Sequence, residues 1–307
     1  MSVKKTNFDV IVIGCGPAGM TAALYTSRSN LDTLILERGV PGGELLSTAD
    51  IENYPGFSKI TGPDLADNMY ESAMQFGAEY AYGTVKQITP QDGQHVVETD
   101  NGTYTAKAVI LATGATQKHL NVPGEEEYAG RGVSYCAVCD GAFFKGKKLK
   151  VIGGGDSAVE EGTYLTQFAE EVAIIHRRDT LRAQEILQER ARANEKVSFL
   201  WNRNVNEILG DGQQVTGVLT VDKAGQEETF PANGVFIYIG LSPNTQGLEG
   251  LGITDDEGWL ITNELMQTAV PGIFACGDVR QKRLRQISTA VGDGSLAGQM
   301  AYQYLNQ

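Results

Sequence analysis

The hydrophobic pattern changes period along the chain, and each change marks an element. Val10, Ile11, Val12 and Ile13 are a continuous β-branched run, the pattern of a strand buried on both faces. The run meets Gly14-Cys15-Gly16-Pro17-Ala18-Gly19, after which Met20, Ala22, Ala23, Leu24 and Tyr25 fall at helical spacing. Leu34, Ile35 and Leu36 predict a second strand that ends at Glu37. The sequence returns to this pattern much later. Residues 149–152 feed Gly153-Gly154-Gly155-Asp156-Ser157-Ala158, a helix through Tyr164 and Leu165 follows, and residues 172–175 predict the next strand.

A G-x-G-x-x-G turn between strand and helix permits a tight bend, close approach of backbone to a pyrophosphate, and helix-on-strand packing. An acid at the end of the following strand accepts hydrogen bonds from ribose hydroxyls. Gly14, Gly16, Pro17, Ala18, Gly19 and Glu37 are therefore candidates for one dinucleotide site, and Gly153, Gly155, Asp156, Ser157 and Ala158 for another. The same number of positions separates Gly14 from Glu37 as Gly153 from His176, so the two strand ends should be equivalent. Where the first copy has Glu37, the second has His176-Arg177-Arg178, with Arg182 a turn further on. A carboxylate repels a 2′-phosphate and clustered guanidiniums bind one bidentately, which predicts NADPH rather than NADH at the second site. One such loop alone is often a turn with no ligand; two at matched spacing with opposite charge argue against that. For the arginines alone, a solvated charged face stays open.

Alternating segments follow each copy. After the first they lie around residues 82–88, 95–98 and 104–111, separated by Asp92-Gly93 and Asn101-Gly102 turns and closed by Ala112-Thr113-Gly114. After the second they lie at 197–201, 215–221 and 235–239, closed by Gly240. The expected fold is α/β: two Rossmann-like three-layer dinucleotide-binding domains, each with an antiparallel ribbon, the second inserted into the first.

Composition adds limits. The 307 residues fit two domains, and 41% hydrophobic with 21% charged residues is an ordinary globular balance. Glycine is the outlier, with 37 where an average chain of this length carries roughly 21. A net charge of −13 argues against nucleic acid and against a basic membrane-binding surface. No apolar run approaches the roughly 20 residues of a membrane span. Lys4 and Lys5 before Val10 superficially resemble a signal peptide, but the apolar stretch is short and runs straight into Gly14 without a cleavage site. The expectation is a cytoplasmic protein, in which cysteines are catalytic or inert more often than structurally paired.

Between the copies lies Tyr135-Cys136-Ala137-Val138-Cys139-Asp140-Gly141. A Cys-x-x-Cys is a zinc half-site, a redox dithiol or a coincidence. Zinc needs four ligands, and Cys15, Cys276, His95, His119 and His176 show no ligand spacing, so no metal is expected. Coincidence is disfavoured beside two nucleotide sites able to supply electrons. A dithiol of this spacing can close into a reducible disulfide and exchange with a partner. Asp140 beside it suits proton delivery, with a plain turn residue before Gly141 as the alternative. Cys15 and Cys276 read as small buried residues, and Lys145, Lys147, Lys148 and Lys150 as a solvated strand approach. Near the C-terminus, Ile273-Phe274-Ala275-Cys276-Gly277-Asp278 is a strand entering a glycine turn with an acid, followed by Arg285-Gln286-Ile287 and a helix with glycines at 292, 294 and 298. By pattern this segment belongs with the first domain.

The order of these motifs resembles the low-molecular-weight thioredoxin reductases over essentially the whole chain. It includes Glu52-Asn53-Tyr54-Pro55-Gly56, Ala112-Thr113-Gly114, Cys136-Ala137-Val138-Cys139-Asp140, Gly277-Asp278 and Arg285-Gln286. The resemblance implies a homodimer in which NADPH reduces FAD, FAD reduces the Cys136–Cys139 disulfide, and the dithiol reduces thioredoxin. Cys139 would then face the flavin, Cys136 attack the partner, and Asp140 serve as acid and base. It places FAD in residues 1–117 and 245–307, with Arg38, Gly43, Glu44, Asn53, Val85, Thr113, Gly114, Gly277, Asp278, Arg285, Gln286 and Ile287 added to its contacts. It places NADPH in residues 118–244, with Gly240 added. Glu44 stands where the family usually has glutamine, Leu284 where an aromatic is frequent, and Val138 where threonine is common. The resemblance also implies that the inserted domain rotates about two chain crossings, near residues 116–118 and 243–245, to present nicotinamide and dithiol alternately. The alternatives are a flavoprotein of the same family that reduces another protein or a small disulfide, and a non-catalytic nucleotide-binding redox sensor.

Overall fold

The computed structural model describes residues 5–48, 50–91 and 93–307. Lys4 and Asp92, used in the sequence reading, lie outside the described residues. The chain divides into two compact units, Met1–Thr116 with Pro243–Gln307, and Gln117–Ser242.

In the first unit the strand Asn7–Ile13 lies between Thr33–Glu37 and Gly102–Leu111, parallel to both. Glu79–Tyr82 extends this sheet past Thr33–Glu37, and Ile273–Ala275 extends it past Gly102–Leu111, again in parallel. Alternate residues feed two cores. Ile11, Ile13, Leu34, Leu36, Val109 and Leu111 face one side, and Val10, Val12, Ile35 and Ile110 the other, which is why the strands read as continuous apolar runs. The helices Pro17–Arg28 and Ile287–Leu305 cover the second side through Ala18, Ala22, Ala297 and Ala301. An antiparallel ribbon covers the first side. Its strands are Val85–Gln91, Gln94–Thr99 and the first half of Gly102–Leu111, and it contributes Ile88, Val97 and Tyr104.

The second unit repeats the frame. Its parallel sheet runs Val133–Ser134, Gly234–Tyr238, Lys148–Gly153, Glu171–His176, Val197–Trp201. Leu149, Val151, Val172, Ile174 and Phe236 pack with Ala158 and Leu165 of the helix Asp156–Leu165. Ile152, Ile175, Val235 and Ile237 pack with Val205, Ile208, Val215 and Val218 of a ribbon made of Arg203–Gly210, Val215–Asp222 and Glu227–Pro231.

Several sequence expectations need correction. Residues 82–88 are not one strand: Glu79–Tyr82 closes the parallel sheet, and the chain turns at Gly83 and Thr84, whose N–H groups donate to Glu37 O and Asp100 Oδ1. Val85–Gln91 then opens the ribbon. Residues 197–201 and 235–239 were expected in the second ribbon, but Val197–Trp201 and Gly234–Tyr238 are parallel strands. The ribbon strands Arg203–Gly210 and Glu227–Pro231 are too polar to stand out by alternation. Lys150 is not solvated: it is buried, with its ammonium 3.7 Å from Glu171, and burial lowers its proton affinity.

The two covering helices of the first unit meet through small residues. A Cβ on Gly294 would lie 2.2 Å from the carbonyl oxygen of Ala18. Gly294→Val is therefore expected to cost about 3 kcal/mol by overpacking, read as a lower urea midpoint; an unchanged midpoint would show that the helices part freely.

Candidate functional site

Gly14 adopts φ +105°, and a Cβ there would lie 2.3 Å from the Ala112 carbonyl oxygen, so glycine is required on both counts. Gly16 caps the helix that begins at Pro17, and Ala18 and Gly19 form its first turn. The Glu37 carboxylate accepts the Cys15 N–H at 2.7 Å and the Gly39 N–H at 2.8 Å, so it ties the loop to the strand end. A pocket opens here, lined by Gly14, Glu37, Arg38, Val85 and Thr113 among the predicted residues, and by Ile13, Leu36, Gly83, Thr84, Asn244 and Gln246 besides. Asn244 escaped the sequence reading. It donates to Thr113 O at 2.9 Å through Nδ2 and to Gly114 O at 3.0 Å through its backbone, while its own carbonyl accepts from Thr113 Oγ1. Gly43 begins a short 3₁₀ turn, Gly43–Ser47, that carries Glu44.

The C-terminal candidates gather around a second 3₁₀ turn, Gly277–Val279. Asp278 Oδ1 is buried and has no hydrogen-bond partner among the described residues. Desolvation pushes the carboxyls of Asp278 and Glu44 up, and the Asp278 charge adds to the shift at Glu44. Arg285 lays its guanidinium 3.6 Å from the Trp259 ring centroid and donates to Asp278 O. Gln286 caps the helix that begins at Ile287 and accepts the Asn53 amide at 2.9 Å, so two predicted contacts from distant sequence meet.

At the second loop, Gly153 has φ +151° and a Cβ there would lie 2.3 Å from Tyr238 O. Gly155 caps the helix of Asp156, Ser157 and Ala158. Asp156 accepts from Gln184 through both oxygens at 2.8 Å. His176 differs from its neighbours. It is buried with its ring against Gly154, and its proton affinity is lowered, first by burial and then by Arg182. Arg177, Arg178 and Arg182 are exposed, and the Arg182 N–H donates to Gly154 O at 2.7 Å. Gly240 has φ +124° and accepts the Lys118 N–H through its carbonyl.

Cys136 and Cys139 form a disulfide with their Cα atoms 5.4 Å apart. Cys136 precedes the one-turn helix Ala137–Asp140, and its sulfur accepts the Cys139 N–H at 3.1 Å. Asp140 Oδ2 accepts from Ser134 Oγ at 2.7 Å, which links the carboxyl to the strand before the dithiol. Ser134 and Tyr238 carry no motif and are not legible in the sequence; only their hydrogen bonds to Asp140 and from Ala137 mark them. Among the described residues no group of three or more His, Cys, Asp and Glu is placed to hold a metal, and no helix is long and apolar enough to cross a membrane.

A redox-competent disulfide and two dinucleotide-type loops in one chain define a nucleotide-linked dithiol oxidoreductase. The sequence profile of the pyridine nucleotide-disulphide oxidoreductases matches residues 8–294, and the chain belongs to this family. It is 60% identical to a thioredoxin reductase of Listeria monocytogenes over 310 aligned positions, covering 100% of this chain and 97% of that protein. To a thioredoxin reductase of Bacillus subtilis it is 58% identical, with the same coverage of both chains. The crystal structure of Lactococcus lactis thioredoxin reductase superimposes with a TM-score of 0.96 at 53% identity, covering 97% of this chain and 99% of that one.

The two remaining cysteines are buried. Burial, with Glu37 second, pushes the Cys15 thiol up to about 12, and burial raises Cys276 as well, so neither is a thiolate at pH 8. Alkylation of reduced, folded protein at pH 8 should label Cys136 and Cys139 and spare Cys15 and Cys276 until denaturant is added. Rapid native labelling of Cys15 or Cys276 would contradict their burial.

Proposed function

We propose that this chain reduces thioredoxin with electrons from NADPH, passed through bound FAD to the Cys136–Cys139 disulfide. The observation that carries the proposal is that disulfide, closed across a Cys-x-x-Cys and followed by a carboxyl and a second glycine loop with arginines at its strand end. The first unit suits FAD: its glycine loop opens on a pocket beside Glu37, and Asp278 offers a buried, unpartnered carboxyl oxygen to a polyol hydroxyl. Gly14, Gly16, Pro17, Ala18, Gly19, Arg38, Gly43, Glu44, Asn53, Val85, Thr113, Gly114, Gly277, Arg285, Gln286 and Ile287 would complete that site. The second unit suits NADPH, with Gly153, Gly155, Asp156, Ser157, Ala158 and Gly240 around the nucleotide and Arg177, Arg178 and Arg182 on the 2′-phosphate. His176 acts from beneath, as the buried support of Gly154.

When bound, NADPH and FAD supply the two electrons that open the disulfide. The chain's own residues manage the thiols that result. The Cys136 thiolate attacks one sulfur of the thioredoxin disulfide, a mixed disulfide forms, and the first thioredoxin thiolate leaves and is protonated. The Cys139 thiolate then attacks Cys136 Sγ, which restores the Cys136–Cys139 disulfide and releases the second thioredoxin thiol. Asp140, held by Ser134, gives and takes the protons of these half-exchanges. The Cys139 N–H donates to Cys136 Sγ, and Cys139 is the more exposed of the pair, which favours Cys139 as the partner-facing thiol. Against that, the family resemblance supports Cys136 as the attacking thiol. By the same resemblance the protein is a homodimer of the cytoplasm.

Adding NADPH to the yellow holoprotein should bleach it, and added thioredoxin should then be reduced catalytically. Bleaching without thioredoxin reduction would point to a different disulfide, and nucleotide binding without turnover to a sensor. Cys136→Ser should abolish thioredoxin reduction yet leave Cys139 able to perturb the flavin spectrum; the reverse behaviour of Cys139→Ser would exchange the two roles.

A charge-assisted hydrogen bond contributes about 1.5–3 kcal/mol, so Arg177→Ala or Arg182→Ala should weaken NADPH about 10- to 150-fold and leave NADH nearly unchanged. Equal losses for both nucleotides would show that the arginines do not read the phosphate.

A further inference from the structure

The proposed exchange does not use Tyr238, yet this residue touches the dithiol segment. Ala137, between the two cysteines, is fully buried, and its N–H donates to the Tyr238 hydroxyl at 2.9 Å. That N–H opens a one-turn helix, where no preceding carbonyl is in register to accept it. Tyr238 is the last residue of Gly234–Tyr238, in the middle of the parallel sheet, and is itself buried. Its backbone carbonyl lies against Gly153 while its ring reaches Ala137, so one residue braces both the nucleotide loop and the dithiol turn.

We propose that Tyr238 is a positioning residue for the redox pair: its hydroxyl fixes the Ala137 amide and so holds Cys136 and Cys139 where they close on one another. The inference rests on the reading of that pair as redox-active. The phenol accepts from Ala137 with a lone pair, which leaves its own proton to be donated elsewhere. Glu161 and Asp140 are the carboxyls that act on it electrostatically. Glu161, on the helix Asp156–Leu165, has Oε2 buried without a partner among the described residues. Burial, with Glu160 second, pushes its carboxyl up to about 8, so it is largely protonated at neutral pH. Burial and Glu161 also raise the phenol, so Tyr238 stays a neutral hydroxyl in the working range.

The consequence is redox, not merely structural. A buried amide that loses its acceptor moves to find another, and here such a movement separates the thiols. Tyr238→Phe keeps the ring and removes the hydroxyl that accepts from Ala137. A tenfold fall in the equilibrium constant for closing the disulfide raises the potential of the pair by 29.6 mV, and a rise of about that size is expected.

The experiment equilibrates holoenzyme with dithiothreitol redox buffers, quenches by alkylation and counts free Cys136 and Cys139 by mass spectrometry. It compares wild type, Tyr238→Phe and Glu161→Gln. Tyr238→Phe should move to the higher potential while Glu161→Gln, which preserves the contact with Ala137, stays with wild type. An unmoved Tyr238→Phe, or equal shifts in both variants, would overturn the role of Tyr238. A wild-type pair that never equilibrates with the buffer would instead sink the redox reading itself. Should Tyr238→Phe fail to fold, hydrogen exchange of the wild-type oxidised protein decides: slow exchange of the Ala137 amide supports the contact, and exchange as fast as in exposed loops refutes it.

Discussion

Where the strand ahead of each glycine loop ends, the chain runs closer to the neighbouring strand than a side chain allows. A Cβ on Gly14 or on Gly153 would stand 2.3 Å from the carbonyl oxygen of Ala112 or of Tyr238. This contact sets the angle at which the next helix begins and leaves its first N–H groups at the carboxyl end of the sheet. Gly16 and Gly155 cap those helices, and neither cap supplies a side-chain hydrogen bond. The orphaned donors of each first turn are therefore available to an anion, which is the physical basis of pyrophosphate binding at such loops.

With the frame fixed twice in the same way, the difference between the two loops falls on the end of the strand that follows each loop's helix. Glu37 accepts two backbone N–H groups from the loop region, one per carboxylate oxygen. Each oxygen keeps a further acceptor position, so a ribose hydroxyl can be added without displacing either bond. At the equivalent place His176 has turned inward under Gly154, and burial keeps its imidazole neutral. The positive charge is displaced outward to the exposed Arg177, Arg178 and Arg182. One strand end thus places support and charge on different residues, while the other combines them in a single carboxylate.

The parts of the structure legible in the sequence are those where one residue type is forced by a local constraint. Continuous β-branched runs between glycine loops gave the central strands, because burial on both faces leaves no polar position to interrupt them. The Cys-x-x-Cys and the charge reversal at the strand ends were readable for the same reason. The ribbon of the second unit was misplaced because Arg203–Gly210 and Glu227–Pro231 present polar residues over much of their length. In the first unit the ten-residue strand Gly102–Leu111 serves ribbon and sheet together; in the second, Glu227–Pro231 and Gly234–Tyr238 divide the same work at Ala232 and Asn233. Asn244, Ser134 and Tyr238 were not legible at all. Each acts through hydrogen bonds that no motif or periodicity records: Asn244 donates to Thr113, Ser134 donates to Asp140, and Tyr238 accepts from Ala137.

The duplication also explains where the chemistry sits. In the first unit the fifth strand of the parallel sheet, Ile273–Ala275, pairs with Gly102–Leu111 and runs at once into the short turn that carries Asp278. In the second unit Val133–Ser134 occupies the equivalent edge beside Gly234–Tyr238 and runs at once into the turn that carries Cys136, Cys139 and Asp140. Both turns leave the carboxyl end of a parallel strand, the end toward which the glycine loops also open. The two segments enter the chain at different points of its sequence, one near the C-terminus and one just ahead of the second glycine loop. What they share is a position: a short strand at the open edge of the sheet, added without disturbing the central strands or the glycine contact. A dithiol placed there is anchored by Ser134 and Tyr238 to the same sheet that carries the second glycine loop, so the thiols and that loop are built on one support.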